Sequence, residues 1–225
     1  MADQAFLDKG VLLGYCFFTD THHVVCKDYI ESSAADFYAT KQVEDIFNKK
    51  KDSIIESHRQ AILGFISQLK SEGYSGTLSE SDIKEIQDSI DREENTAWRY
   101  LLDYFEGRAG DDLYFVTKNL RKIIRDIEEL AIQRNNELQP RVNGWIRFAT
   151  YPELKDSLNS LFEKDEEDFW IAVDAHDLGV NLDGTTELAT NNPSDFDDET
   201  VKEEIFDQTA IDEIRLVFVS RSYTP

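Results

Sequence analysis

The sequence predicts an α/β fold in one domain, and three observations carry that prediction. Short apolar runs of strand type stand near both ends of the chain. Long stripes at helical spacing fill the region between them. No repeat and no Pro/Ser-rich linker divides the 225 residues, so strands at both ends with helices between read as one α/β domain, 1–225, with a large helical insertion at about 70–150.

The elements come in this order. Ala5 to Phe18 reads AFLDKGVLLGYCFF, with apolar runs on both sides of Asp8. That suggests a strand entering a buried parallel sheet, then a turn or short helix at Lys9-Gly10. His22 to Cys26 is a second short apolar segment of strand type. Adjacent histidines on a strand face opposite ways, so His22 and His23 do not readily share a metal. From Ala39 a helical stripe runs through Val43, Phe47, Ile54, Ile62, Phe65, Ile66 and Leu69, with a possible break in the polar stretch Asn48 to Ser53. Glu72-Gly73 marks its stop. Ser79 is a candidate N-cap, with Asp82 three residues on resembling a capping box. Ile83, Ile86, Ile90, Trp98, Leu101, Leu102 and Phe105 form the next stripe, ended by Gly107 and Gly110. Asp111 to Glu137 is the strongest helix, closed by Pro140. Trp145 to Ala149 reads as a strand and Pro152 to Phe162 as a helix with Pro in its first turn. Asp168 to Leu178 reads as a helix stopped by Gly179, Glu187 to Thr190 as a short strand, and Leu216 to Val219 as the last strand.

The composition narrows the function. Hydrophobic residues make up 40%, with 14 Phe, 9 Tyr and 3 Trp, which is enough for a substantial core. Lys and Arg number 24 against 46 acids, a net charge of -22. Bulk attraction to nucleic acid is excluded, because phosphate binding needs clustered cations. Either the chain avoids polyanions, or it works in concentrated salt, where the Debye length shrinks to about 3 Å near 1 M. Cys16 and Cys26 lack CxxC spacing and read as two buried thiols in a reduced compartment. No segment reaches the ~20 apolar residues of a membrane span, and MADQAFLDKG has no signal core, so a cytoplasmic protein without a membrane partner is expected. There is no GxxxxGK[ST] loop, no GxGxxG after a strand and no GxSxG elbow. The four histidines (His22, His23, His58, His176) lack zinc-ligand spacing.

Four places put an acid at a special position. Asp8 interrupts the first strand region, where an unpaired charge is costly unless it meets a cation. Glu44 lies in the first turns of a helix beside Val43. Asp168 starts the helix DFWIAVDAHDLG. Asn192 and Asp195 follow the strand ELAT. Sites in parallel α/β sheets assemble at the carboxyl ends of strands, and hard cations such as Mg²⁺ or Mn²⁺ take clusters of oxygen ligands. Each acid also has a plain structural role open to it. Asp168 can serve a helix start and Asp195 can cap the segment after it. With 46 acids, chance placement of any one is easy.

These pieces, FLDKGVLLGY, QVEDIF, DFWIAVDAHDLG and ELATNNPSDF, resemble the PIN-domain family of metal-dependent nucleases in their order. The resemblance implies a three-layer α/β/α fold around a central, mostly parallel sheet. It implies metal-site acids at Asp8, Glu44 and Asp168, and a fourth position at Asn192 or Asp195, with Thr190 as the small hydroxyl residue before it. It also implies a Mg²⁺- or Mn²⁺-dependent endoribonuclease acting on RNA. Two departures stand out: the usual fourth acid is Asn192, and Asp195 comes one residue late. Asp174 falls where the family has a small residue; it either compensates or is exposed. Residues 70–150 match nothing in the family. Lys49 to Lys51 are the compact basic run, read as a backbone contact or a solvated helix face. His176 reads as an exposed helix residue or a group behind the site. The alternative is a PIN-like interaction protein with weakened catalysis, its amphipathic insertion and Trp98 offering a partner surface or a homodimer interface.

Overall fold

The computed structural model describes residues 2–41, 43–158 and 166–219. Five parallel strands form one sheet in the order β3-β2-β1-β4-β5: β1 (Gln4–Leu7), β2 (Asp36–Thr40), β3 (Val142–Trp145), β4 (Thr186–Thr190) and β5 (Glu213–Leu216). Side chains on β1 alternate across the sheet, as the two-residue period of a strand requires. Ala5 and Leu7 enter one buried apolar layer and Phe6 the other. The first layer is covered by α1 (Lys9–Cys16), α2 (His23–Ser32), α3 (Val43–Ser71), α4 (Glu80–Asp88), α5 (Trp98–Phe105) and α6 (Leu113–Leu138). The second lies under α7 (Pro152–Leu158), α8 (Glu166–Asn181), α9 (Pro193–Phe196) and α10 (Glu199–Gln208). Two layers of helix around a parallel sheet match the α/β prediction.

Several elements differ from the sequence reading. His22 to Cys26 is not a strand: His23, Cys26 and Ile30 recur at helical spacing and bury one face of α2. The two cysteines therefore sit on helices, both buried and free. The segment Asp36–Thr40, of which the sequence reading assigns Ala39 and Thr40 to a helical stripe and leaves the rest unassigned, is strand β2, paired in parallel with β1 and β3. Helix α3 is continuous through Asn48 to Ser53, because those polar residues lie largely on its solvent side while Phe47 and Ile55 are buried. The stripe from Ile83 to Phe105 is two helices. Ser79 caps the first with the reciprocal Asp82 bond, as its spacing predicts. Strand β3 ends at Trp145, and Ile146 to Tyr151 form a loop. The predicted helix end at Phe162 lies outside the described residues. Helix α8 runs through Gly179; a Cβ there would stand 2.3 Å from the Ala210 carbonyl oxygen, so glycine permits close packing. Strand β5 begins and ends earlier than predicted. The acidic run after Asp195 holds α10, capped by Asp198 accepting from Thr200 and Val201. Among the described residues no helix is long and apolar enough to cross a membrane.

Candidate functional site

The chain runs β1, β2, β3 to one side of the sheet, then returns to lay β4 and β5 on the other. Strand order therefore reverses between β1 and β4, and the crevice at their carboxyl ends is the topological switch point where α/β sheets bind ligands. Four of the five predicted site residues meet there.

Asp8 stands one residue past β1 and is 4% exposed. It caps α1, its Oδ1 accepting from the Gly10 amide at 3.4 Å. Its Oδ2 accepts from the Thr190 hydroxyl at 2.8 Å. Burial raises the Asp8 carboxyl pKa; the Thr190 hydroxyl, the Gly10 amide and the Lys9 charge oppose that rise. Lys9 pairs with Glu167, the residue before Asp168. Thr190, at the end of β4, accepts from the Asn192 main-chain N–H at 3.1 Å, a local turn that fixes the loop. The Asn192 side chain then donates to Asp168 Oδ2 at 3.1 Å and to Asp195 Oδ2 at 2.6 Å. The result is one chain of contacts from Asp8 through Thr190 and Asn192 to Asp168 and Asp195. Gly10 makes room for it: a Cβ there would lie 1.8 Å from Asn191 Oδ1.

Glu44 is placed differently. It lies in the first turn of α3, beyond β2, and is exposed. Among the described residues no hydrogen bond or ion pair joins it to the other four, and no three His, Cys, Asp or Glu side chains stand close enough together to hold a metal ion. The ligand types present (three carboxylates and an amide) are the oxygen set that hard cations take. Their present spacing is instead held by the Asn192 amide, whose nitrogen stands between two carboxylates.

Asp174 belongs to neither reading offered for it. It is buried and pairs with Arg147 Nε at 2.7 Å. Burial raises its pKa while Arg147 opposes. The Arg147 guanidinium also stacks on Trp170 at 4.4 Å. His176 is half-buried, its Nδ1 accepting from the Ala210 amide at 3.0 Å and its ring edge-on to Tyr151. Sequence reasoning missed Asp177, which is fully buried. It accepts from Trp145 Nε1 at 2.9 Å, the Phe148 amide at 3.1 Å, the Ala149 amide at 3.3 Å and the Tyr151 hydroxyl at 2.8 Å. The available signal was helical: Trp170, Asp174 and Asp177 share one face of α8 at i, i+4, i+7. The lysine run is a solvent face: Lys49 and Lys50 are exposed, and Lys51 pairs with Asp52 and Glu128 at 3.4 Å. Comparison with protein-family models, curated proteins and solved structures returned no match for this chain.

Proposed function

We propose that the chain is a PIN-type, Mg²⁺- or Mn²⁺-dependent endoribonuclease. The observation that carries the reading is the contact chain Asp8–Thr190–Asn192–Asp168/Asp195 at the switch point between β1 and β4. Buried carboxylates there are costly as bare charges, and a divalent cation offsets that cost. Asp8, Asp168 and Asp195 would hold the cation and Asn192 would offer its uncharged amide oxygen, while Glu44, exposed in the first turn of α3, is joined to none of them. A cation so held supplies Lewis acidity toward a phosphate and a water of lowered pKa. The chain's own residues set the orientation: Thr190 fixes one Asp8 oxygen, the Gly10 amide the other, and the capped start of α1 holds the carboxylate rigid.

The test is hydrolysis of a labelled single-stranded RNA with Mn²⁺ by the wild type and by Asp8→Asn. The variant should lose at least about a hundredfold in rate, the scale of removing a principal electrostatic group. Equal rates in the two proteins would end the assignment.

One observation favours a second reading, a PIN-like interaction protein with weakened catalysis. The Asn192 amide already satisfies Asp168 and Asp195 without a cation, and Glu44 stands apart. Calorimetric titration with Mn²⁺ separates the two, since the interaction protein would give no heat of binding.

A further inference from the structure

The loop after β3 carries apolar side chains outward in a chain whose surface is otherwise heavily acidic. Ile146 is 67% exposed and Phe148 73% exposed. Between them Arg147 turns back onto Trp170 and Asp174, and the Phe148 ring meets Trp145 edge-on at 5.4 Å. This presentation is built, not incidental. Asp177 accepts from the Phe148 and Ala149 amides and from the Tyr151 hydroxyl. Tyr151 holds φ at 45°, a left-handed conformation that costs a non-glycine residue about 1 kcal/mol or more. Its hydroxyl bond and its contact with His176 over-determine that geometry. A buried carboxylate and a strained tyrosine thus fix a loop that leaves a phenylalanine in water.

The place of the loop suggests its occupant. Its root, Trp145, accepts at its carbonyl from the Lys41 amide at 3.0 Å. Lys41 is exposed, and its ammonium has no ion-pair partner among the described residues. β3 is two strands from β1 in the sheet, roughly 10 Å at ordinary strand spacing. Lys41 follows the carboxyl end of β2 and the loop follows that of β3, so an unpaired cation and an exposed aromatic stand at the end of the sheet that carries the carboxylate crevice. Single-stranded nucleic acid takes that combination, phosphate on the cation and base on the ring. From this geometry we infer that Lys41, Ile146 and Phe148 form a shelf on which a base of single-stranded RNA stacks while its backbone continues toward Asp8 and Asp168. The inference rests on the nuclease reading for its substrate and deepens it by naming the contact.

The test is fluorescence anisotropy of a labelled single-stranded RNA oligomer with the full chain in EDTA, where binding is read without hydrolysis. Phe148→Ala should weaken binding about tenfold, the scale of one lost base–aromatic stack. Phe148→Trp should restore it, and Phe148→Leu should not. The ring is exposed, so folding is preserved, and Mn²⁺ titration heats should match the wild type. Unchanged binding by Phe148→Ala overturns the shelf, as does a wild type that fails to bind the oligomer. Loss of self-association in sedimentation, with RNA binding intact, also overturns it and assigns the patch to a second copy of the chain. Hydrolysis with no effect of Phe148→Ala sinks the shelf alone. Shelf-dependent binding without Mn²⁺-driven hydrolysis sinks the nuclease reading alone.

Discussion

Asp177→Asn is the sharpest perturbation of the part of the fold that frames the crevice. The side chain keeps its shape, but one oxygen becomes an N–H₂ group. Every neighbour within reach is a donor: the Trp145 indole, the Phe148 and Ala149 amides and the Tyr151 hydroxyl. Nitrogen at Oδ2 opposes the indole N–H, and nitrogen at Oδ1 opposes the Ala149 amide while the Tyr151 hydroxyl turns to accept; the Phe148 amide, which reaches both oxygens at 3.1 Å, keeps a partner in either case. Either placement removes one hydrogen bond to the carboxylate outright and weakens the remaining ones. At about 1.5–3 kcal/mol for a bond to a charged group, the expected destabilisation is about 2–4 kcal/mol. For a chain of this size that lowers the melting temperature by about 2–4 °C per kcal/mol. Urea unfolding followed by tryptophan emission measures it, and Trp145 should report the site directly. The cycle with Trp145→Phe isolates the indole bond, and a coupling near zero would show that the bond contributes nothing. A loss under about 0.5 kcal/mol for Asp177→Asn, the range of an ordinary surface change, would refute the claim that this carboxylate anchors the loop.

Two further predictions concern the crevice and the helical layer. Asn192→Asp removes two N–H donors and sets a third carboxylate beside Asp168 and Asp195; the metal-free protein should lose about 1–3 kcal/mol, while Mn²⁺ should raise its melting temperature more than the wild type's, and an equal or smaller shift in a thermal scan would count against a metal site there. His58 is buried with its Nδ1 on the Thr19 hydroxyl, and burial lowers its pKa, so the unfolded chain binds the proton first: stability is full above about pH 6.5 and falls as pH drops below it, by at most about 1.4 kcal/mol per pH unit. Denaturation of the wild type and His58→Gln at about pH 7.5 and 5.5 should give the wild type the steeper loss, and parallel losses would refute it.

What was legible in the sequence had its cause nearby in the chain. Asp8 could be placed because an apolar run stops at a charge, and such a charge must lie at a strand's end or be paired. Ser79 and Asp82 could be read because a capping box is closed within one turn. Thr190 and the choice of Asn192 or Asp195 came from the resemblance alone, and the Thr190–Asn192 turn became visible only in the structure. The misreadings have the opposite origin. β2 has only Phe37 and Ala39 buried, so its short alternation was overrun by the helical stripe beyond it. The run at Val24, Val25 and Cys26 is too short for periodicity to separate helix from strand. It is helical because Cys26 packs against Gly14, where a Cβ would stand 2.6 Å from its sulfur. Asp177 and Arg147 escaped notice because their partners lie 26 to 32 and 27 residues away.

The net charge of -22 and a nuclease reading pull against each other only while affinity is assumed to come from phosphates. Binding through Lys and Arg falls steeply with salt, because each phosphate contact releases a counterion. Several of the cations around this crevice are already committed: Lys9 to Glu167, and Arg147 to Asp174 and Trp170. Added salt therefore has only the Lys41 phosphate contact to weaken here, and it screens the repulsion between RNA and the acidic surface over any distance beyond about 3 Å near 1 M. Contacts made at shorter range survive that screening: oxygen ligands on a divalent cation, and a base on an aromatic ring. On the proposed reading, a surface that repels polyanions at a distance would be joined to a crevice that holds them only at contact, and binding would depend on Phe148 and on a cation held by the carboxylates rather than on bulk charge. On that account added salt strengthens RNA binding over the range where a basic RNA-binding protein loses it.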